Sequence, residues 1–276
     1  MSSRSGESRV TEALAGGWDC HVHVFEASAP SRMGHYAPVD RPLTEVEAVA
    51  RQHGVNHLVL VQPSVYGTDN SLLLRALAVE PGRHRGVVVL DGDVSEDDLR
   101  AMHVRGVRGA RLNLVSPVGE SANPAQRFAS LAPHLRRQGW HMQWYARAED
   151  LATVAACHRH SDVTCVLDHL AGFDSGIGAD HSAWKIISEL ARHGAWLKLS
   201  GWYRLNAECP YTKLVPQIRR LADLFGDRMV WGSDWPHTMF APDATPSYGS
   251  TWQPVVEALG ESKASALRQR VPNIYA

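Results

Sequence analysis

Two histidines near the start of the chain, His21 and His23, are separated by a single valine in the sequence WDCHVHVFE, residues 18–26. Alternate side chains of a β-strand point to the same face, so an extended backbone would place both imidazoles side by side. Imidazoles in that arrangement can bind a divalent metal or hold a polar substrate. The alternative is a pair of hydrogen-bonded polar residues with no chemical role, but two histidines on one apolar strand favour a catalytic site.

Two further candidates, His169 and Asp234, each follow an apolar run late in the chain, in LDHLAGFD (167–174) and WGSDWPH (231–237). A carboxylate after a buried run needs a partner, and the alternative to a catalytic role is an ion pair with an arginine. Asp168 flanks His169 and is expected to point to the opposite face of an extended strand. Three imidazoles and a carboxylate at one point would supply a general base and polarising groups for hydrolysis.

A second group of residues has the chemistry to bind an anion. An arginine inside a protein is costly unless it meets a negative charge, which is either a ligand or an internal acid. For Arg111 and Arg204 the internal alternative is Asp234. Tyrosine and serine hydroxyls nearby would add neutral hydrogen bonds. The predicted substrate-binding residues are Tyr36, Ser64, Arg111, Tyr145 and Arg204.

Eight apolar runs rich in β-branched residues alternate with amphipathic stretches along the chain. The runs span residues 19–25, 57–64, 86–92, 110–116, 141–147, 164–172, 195–202 and 229–235. Strands that each feed a helix pair in parallel, and eight such units predict an α/β fold, a single (β/α)8 TIM barrel. A doubly wound open sheet is the rival, but no glycine-rich phosphate turn follows the first strand. The barrel would bring the ends of strands one and eight together.

Local signals mark the helices between these strands. Thr44 with Glu47 and Ser95 with Asp98 have the spacing of N-terminal capping boxes. Glycines follow five of the helical patterns, as left-handed helix ends require. They are Gly54, Gly106, Gly139, Gly194 and Gly226.

Bulk composition excludes several classes of protein. The 276 residues carry a net charge of -1, so no broad basic field is available for nucleic acid or a membrane surface. No apolar run reaches the length of a membrane-spanning helix. The four cysteines form no CxxC pair, which favours a cytoplasmic location. Residues 1–16 are predicted to be a flexible leader and residues 17–276 the barrel, as a monomer or a homo-oligomer.

The motifs resemble those of the amidohydrolase superfamily over nearly the whole chain, from about Asp19 to the terminal PNIYA. In order they are DCHVHVF, VQPSVYGTDN, GVRGARLNLV, GWHMQWY, LDHLAGFD, LKLSGW and WGSDWPH. The resemblance is strongest to the branch that contains 2-pyrone-4,6-dicarboxylate lactonase, sulfomuconolactone hydrolase and the sugar-acid lactonases. It implies a hydrolase that opens a small carboxylated lactone in aromatic or sugar-acid catabolism.

The same resemblance implies roles for the candidate residues. Asp234 would be the general base on water, and His21, His23 and His169 would polarise the lactone carbonyl. Tyr36, Arg111, Tyr145 and Arg204 would hold substrate oxygens. Two arginines expected in this branch are replaced by Pro117 and Gly172. These departures favour a substrate with fewer carboxylates than the pyrone dicarboxylate, or one that is differently substituted.

Metal dependence has two possible answers. Spacing alone favours one divalent ion, Zn or Mn, on His21, His23, His169 and Asp234. The resemblance favours no required cofactor, and two physical arguments support that expectation. No acceptor is apparent that would orient the imidazoles, and Arg111 would repel a cation. The alternatives in function are a mononuclear-metal decarboxylase or hydratase and a non-catalytic ligand-binding barrel.

Overall fold

Eight parallel strands form one sheet whose order follows the chain, β1 to β8. The computed structural model describes residues 16–32, 36–119, 123–238, 240, 244–270 and 272–276. The strands are β1 (Gly17–Val22), β2 (Val55–Val61), β3 (Arg85–Val88), β4 (Val107–Asn113), β5 (His141–Tyr145), β6 (Cys165–Leu167), β7 (Trp196–Leu199) and β8 (Met229–Trp231). The predicted (β/α)8 barrel is confirmed, and each strand lies within or next to its predicted run.

The barrel closes between β1 and the segment that follows β8. Val22 forms a parallel bridge with Trp235, and the Asp234 N–H donates to the His21 carbonyl at 2.9 Å. Below this seam, the buried carboxylate of Asp19 accepts hydrogen bonds from the backbone N–H groups of Ser233 and His21 at 2.9 and 3.1 Å. The closure therefore fixes the two candidate strand ends against each other.

Helices cover the outside of the barrel. Within the described residues they are α1 (Leu43–Gln52), α2 (Ser71–Val79), α3 (Glu96–Val104), α4 (Pro124–Gln138), α5 (Leu151–His158), α6 (Ala183–Arg192), α7 (Val215–Phe225), α8 (Gln253–Leu259) and α9 (Glu261–Gln269). Their apolar faces pack on the strands, which are buried on both faces. Double burial explains why the strands read as continuous apolar runs in the sequence.

The predicted helix signals are only partly correct. The Ser95 side chain accepts from the Asp98 N–H, as a capping residue should. The Thr44–Glu47 capping box is wrong, because α1 begins at Leu43 and Pro42 takes the N-cap position. Glu47 instead accepts a hydrogen bond from buried His84 at 2.9 Å. All five predicted helix-end glycines have positive φ.

Residues 1–15 of the predicted leader lie outside the described residues, and β1 begins at Gly17. The boundary between leader and barrel stays a prediction. None of the helices that the structure describes combines the length and apolarity needed to cross a bilayer.

Candidate active site

The paired histidines of β1 face the carboxylate that follows β8. His21 Nε2 lies 3.6 Å and His23 Nε2 3.5 Å from Asp234 Oδ1, with all three residues buried. Gly232 makes this approach possible, because a Cβ there would lie 2.5 Å from the Cβ of His21. Asp234 has a φ of 60°, an uncommon conformation for a residue with a side chain. Such strain is typical of functional sites.

His169 completes the cluster from the segment after β6. Its ring centroid lies 4.8 Å from that of His21. Gly201 leaves room for it, because a Cβ at that position would lie 2.2 Å from His169 Nδ1. Four predicted catalytic residues, His21, His23, His169 and Asp234, are thus brought together at the carboxyl ends of the strands.

The expectation that Asp168 points away from the site is wrong. Strand β6 ends at Leu167, and His169 and the next two residues have φ between 48° and 55°. The left-handed turn breaks the alternation of an extended strand, so Asp168 and His169 both face inwards. Asp168 Oδ1 lies 3.3 Å from His21 Nδ1.

Each imidazole is oriented by a partner on its Nδ1 atom. His23 Nδ1 lies 2.7 Å from the Val61 carbonyl, and His169 Nδ1 lies 2.9 Å from Ser200 Oγ. A carbonyl only accepts, so His23 carries its proton on Nδ1, and in the neutral ring Nε2 keeps a lone pair. The expectation that no acceptor orients the histidines is therefore wrong. Partners of this kind are a regular feature of metal-binding histidines.

Burial and ion pairing set the charges of the cluster. Burial lowers the pKa of His21 well below its usual value and that of His169 to about 4, so both rings are neutral near pH 7. Burial alone would raise the pKa of Asp234, but Arg204 and the histidines outweigh it and hold that pKa well below its usual value. His21 and His169 are therefore neutral imidazoles beside an ionised Asp234 carboxylate.

Both predicted arginines use Nε to bind a buried carboxylate. Arg204 donates to Asp234 Oδ2 at 2.8 Å, and the Tyr203 hydroxyl donates to the same oxygen at 2.8 Å. Arg111 pairs with Asp168 Oδ2 at 3.0 Å, so Asp234 as its internal partner is wrong. Asp168 offsets the positive charge of Arg111, which weakens the argument that Arg111 repels a cation.

A cavity of about 460 Å³ opens above the cluster. All five predicted substrate-binding residues line it, together with His23 from the cluster, and Ser64 Oγ accepts from Asn113 Nδ2 at 2.7 Å. The remaining lining residues are Pro63, Asn113, Val115, Ser116, Pro117, Tyr203, Thr238 and Phe240. Pro117 therefore replaces an expected arginine inside the cavity. At Gly172 a Cβ would lie 2.6 Å from the Arg147 Cα, so any side chain there requires a backbone shift.

The donor atoms fit one divalent metal. One ligand atom from each of His21, His169 and Asp234 lies within 4.8 Å of the others. His21 Nε2 and Asp234 Oδ1 are buried without a hydrogen-bond partner among the described residues. Buried polar atoms without a partner point to a missing ligand or ion. The geometry favours one divalent metal over none, contrary to the expectation from the resemblance.

Comparison with known proteins gives the class of the chain. The amidohydrolase family model matches residues 18–254, so the chain belongs to the amidohydrolase family. A 4-sulfomuconolactone hydrolase from Rhizobium radiobacter is 29% identical over 240 residues, which are 85% of this chain and 80% of that protein.

Two solved structures have the same fold. One from Pseudomonas putida, whose name proposes a 2-pyrone-4,6-dicarboxylic acid hydrolase, has a TM-score of 0.80 and 32% identity, covering 92% of this chain and 94% of that one. An amidohydrolase from Burkholderia multivorans with bound zinc has a TM-score of 0.69 and 21% identity, covering 92% and 95% of the two chains.

Three residues of the site were not predicted from the sequence. Asp168 was assigned to the wrong face, Tyr203 is adjacent to Arg204, and Lys198 interrupts the apolar run of β7. A lysine in a strand buried on both faces is a detectable signal, because lysine is almost never fully buried without a partner. Tyr203 has no such signal, since aromatic residues fill barrel ends without any polar role.

Proposed function

We propose that this protein hydrolyses a small lactone that carries one anionic group, by water attack on the ring carbonyl. The observation that supports it most is the position of the two cavity arginines directly above the cluster of histidines and Asp234. Arg111 and Arg204 each anchor Nε on an internal carboxylate, and both side chains line the cavity. The names of the relatives support a lactone as the substrate class.

The charge of the cavity favours one anionic group rather than two. Arg204 is paired with Asp234, while Arg111 and Lys198 share Asp168, so these three cations and two carboxylates leave one positive charge uncompensated. Pro117 stands in the cavity where an additional arginine was expected. A second carboxylate on the substrate would therefore enter without a full opposite charge, which is costly in a buried site. A carboxylate or a sulfonate would satisfy the two arginines.

Asp234 is the proposed general base. Its Oδ2 accepts from Arg204 and Tyr203, whereas Oδ1 faces His21 and His23 and accepts no bond from the described residues. A water beside Oδ1 would be within reach of a carboxylate that is ionised at every pH above the acidic range. The lactone oxygens would contact Tyr145, Tyr36 and Ser64, which line the same cavity.

We further propose that His21, His169 and Asp234 hold one divalent ion, Zn or Mn, with His23 beside it. A bound divalent metal supplies Lewis-acid polarisation of a carbonyl or a water. A His21 ring that carries its proton on Nδ1 cannot supply this polarisation itself, because its Nε2 keeps a lone pair and has no proton to donate. In this proposal the chain orients the imidazoles through Val61, Ser200 and Asp168.

The test is a panel of neutral and anionic lactones on one sample before and after chelation. Acid release and bound metal are measured together, and carbon dioxide is assayed in parallel. We expect turnover of an anionic lactone, loss of activity on chelation and recovery with one equivalent of Zn or Mn. Activity that survives below one tenth of an equivalent would overturn the metal proposal. Carbon dioxide release without acid production would overturn the hydrolase proposal in favour of a decarboxylase.

A cytoplasmic location belongs to the same proposal. All four cysteines are free, as a reducing compartment requires.

A further inference from the structure

Lys198 lies on β7 inside the barrel, fully buried beneath the histidine cluster. Its ammonium donates to Gln143 Oε1 at 2.7 Å and to the Cys20 carbonyl at 2.9 Å. It also lies 3.7 Å from Asp168 Oδ1. One side chain thereby connects β7 with β1, β5 and the end of β6. Neither the proposed base nor the cavity uses it.

The contacts of Lys198 determine the orientation of Gln143. An ammonium only donates, so Gln143 must present its amide oxygen to Lys198. Its amide nitrogen is then directed to Asp168 Oδ2, 3.0 Å away. Arg111 donates to the same oxygen, so Oδ2 has two donors and Oδ1 faces His21.

The orientation of Asp168 in turn determines the state of His21. Asp168 Oδ1 lies 3.3 Å from His21 Nδ1 and, as a carboxylate, can only accept. Lys198 Nζ lies 3.5 Å from the same Nδ1, farther than Asp168 Oδ1, so we assign the Nδ1 proton to the contact with Asp168. The lone pair of Nε2 is then directed towards Asp234 Oδ1. Lys198 also holds the Cys20 carbonyl, which precedes His21 on β1. Lys198 thus acts on the ring orientation and on the backbone that carries it.

The charge balance supports the same interpretation. Asp168 lies between two cations, Lys198 and Arg111, and all three side chains are buried. Removing one member of a buried charged group leaves its partners uncompensated. A neutral residue at 198 would leave Arg111 as the one cation on Asp168 and would free the Gln143 amide to rotate. Either change weakens the hold on His21.

We propose that Lys198 is a positioning residue, which fixes His21 as an acceptor towards the site through Gln143 and Asp168. The inference rests on the proposed hydrolase and its metal ligands. It is separable from both, because the state of His21 can be observed without substrate.

The test compares Lys198→Met with Lys213→Met, a change at an exposed lysine that does not line the cavity. Methionine keeps the length of the side chain and removes its charge and donors. Three properties are measured: zinc affinity by competition with a chromogenic chelator, the downfield imidazole N–H resonance of His21, and kcat and KM for the anionic lactone. Circular dichroism and thermal melting report folding.

We expect Lys198→Met to fold, to lose the His21 Nδ1–H resonance and to bind zinc about 10–100-fold more weakly, the usual effect of losing a supporting contact to a metal ligand. We expect kcat to fall by a similar factor with KM within about twofold, because the cavity residues that hold substrate are untouched. Lys213→Met should match the wild type in all three properties.

A second variant covers the case in which Lys198→Met does not fold. Gln143→Glu keeps the shape and the contact with Lys198 but places an oxygen against Asp168 in place of the amide donor. The same losses are expected. Wild-type zinc affinity, His21 resonance and kcat in either folded variant would overturn the proposal. If the wild type hydrolyses no lactone, the proposed function fails, and the resonance and zinc measurements still decide the role of Lys198.

Discussion

The two oxygens of Asp234 have different surroundings, because one oxygen anchors the side chain and the other faces the site. Oδ2 is held by Arg204 and Tyr203, while Oδ1 faces the histidines. An amide in place of the carboxylate would keep the shape but could not accept a proton. The role of Asp234 as base can therefore be tested without emptying the space around it.

Asp234→Asn is expected to lower kcat for lactone hydrolysis by at least about a hundredfold, the usual scale for losing a general base. The measurement is steady-state acid release with circular dichroism as a control for folding. Asp227→Asn, a change at an exposed carboxylate, serves as the matched control. An Asp234→Asn variant within a few-fold of the wild-type rate would exclude the role.

Arg111 has one nitrogen committed to Asp168 and the rest of its guanidinium at the cavity. Arg111→Met is expected to raise KM strongly for an anionic lactone and little for a neutral one. Loss of one partner of a buried charge pair costs about 2–5 kcal/mol. Arg111→Lys, which keeps the charge without the planar fork, should show a smaller increase. Equal losses on anionic and neutral lactones would mean that Arg111 is structural.

At the scale of the elements, sequence periodicity predicted which segments form strands but not what happens where they end. The eight strands, and the convergence of His21, His23 and Asp234, follow from parallel pairing and the closure of β1 on β8. The inward position of Asp168 could not be predicted in this way, because it depends on left-handed residues directly after β6. These residues are not glycines, and the first glycine in the turn is Gly172. The partner of Arg111 was misassigned for the same reason.

The metal site was misjudged because it depends on contacts between distant elements. The groups that orient the imidazoles are the Val61 carbonyl on β2, the Ser200 hydroxyl after β7 and the Asp168 carboxylate after β6. None of them is adjacent in sequence to the histidine that it orients. Only the assembled barrel brings them to the same depth, which periodicity within one segment cannot indicate.

Gly201 allows the segment after β7 to approach His169 closely. Its φ is 62°, and a Cβ would lie 2.2 Å from His169 Nδ1. Gly201→Ala should displace His169 and lower kcat at least about tenfold, since small misplacements of reacting groups are costly. Gly194→Ala is the matched control, because its φ is also positive, 86°, with no atom within 4 Å of the new Cβ.

Both alanine variants should lose about 1–2 kcal/mol of unfolding free energy from the left-handed backbone. Only Gly201→Ala should also lose activity. Equal activity of the two variants would show that His169 tolerates the displacement.

At the scale of the whole molecule, the two ends of the barrel have different contents. The carboxyl end holds the buried ion pairs of the site, such as Arg204 with Asp234. The opposite end is filled by Tyr275, whose ring packs against His141 with centroids 5.4 Å apart. The separation explains why His141, at the start of β5, takes no part in the site.

Acid sensitivity of the fold should arise in part from a histidine outside the site. His158 accepts a hydrogen bond from Trp144 Nε1 at 2.9 Å and donates from Nδ1 to the Val163 carbonyl at 3.0 Å. Burial lowers its pKa to about 4. The unfolded chain, with a pKa near 6.5, takes up the proton first, so stability falls as the pH drops from about 6.5 towards 4.

The expected contribution of His158 is a loss of about 1–2 kcal/mol between pH 7 and pH 5. His158→Gln keeps an acceptor for Trp144 but does not titrate. Between pH 7 and pH 5 this variant should therefore lose about 1–2 kcal/mol less unfolding free energy than the wild type. Urea unfolding at both pH values measures the difference, with His160→Gln, a change at an exposed histidine, as the control. If His158→Gln and the wild type lose equal stability, His158 is not a source of the acid sensitivity, and the burial of its ring leaves its proton affinity unchanged on folding.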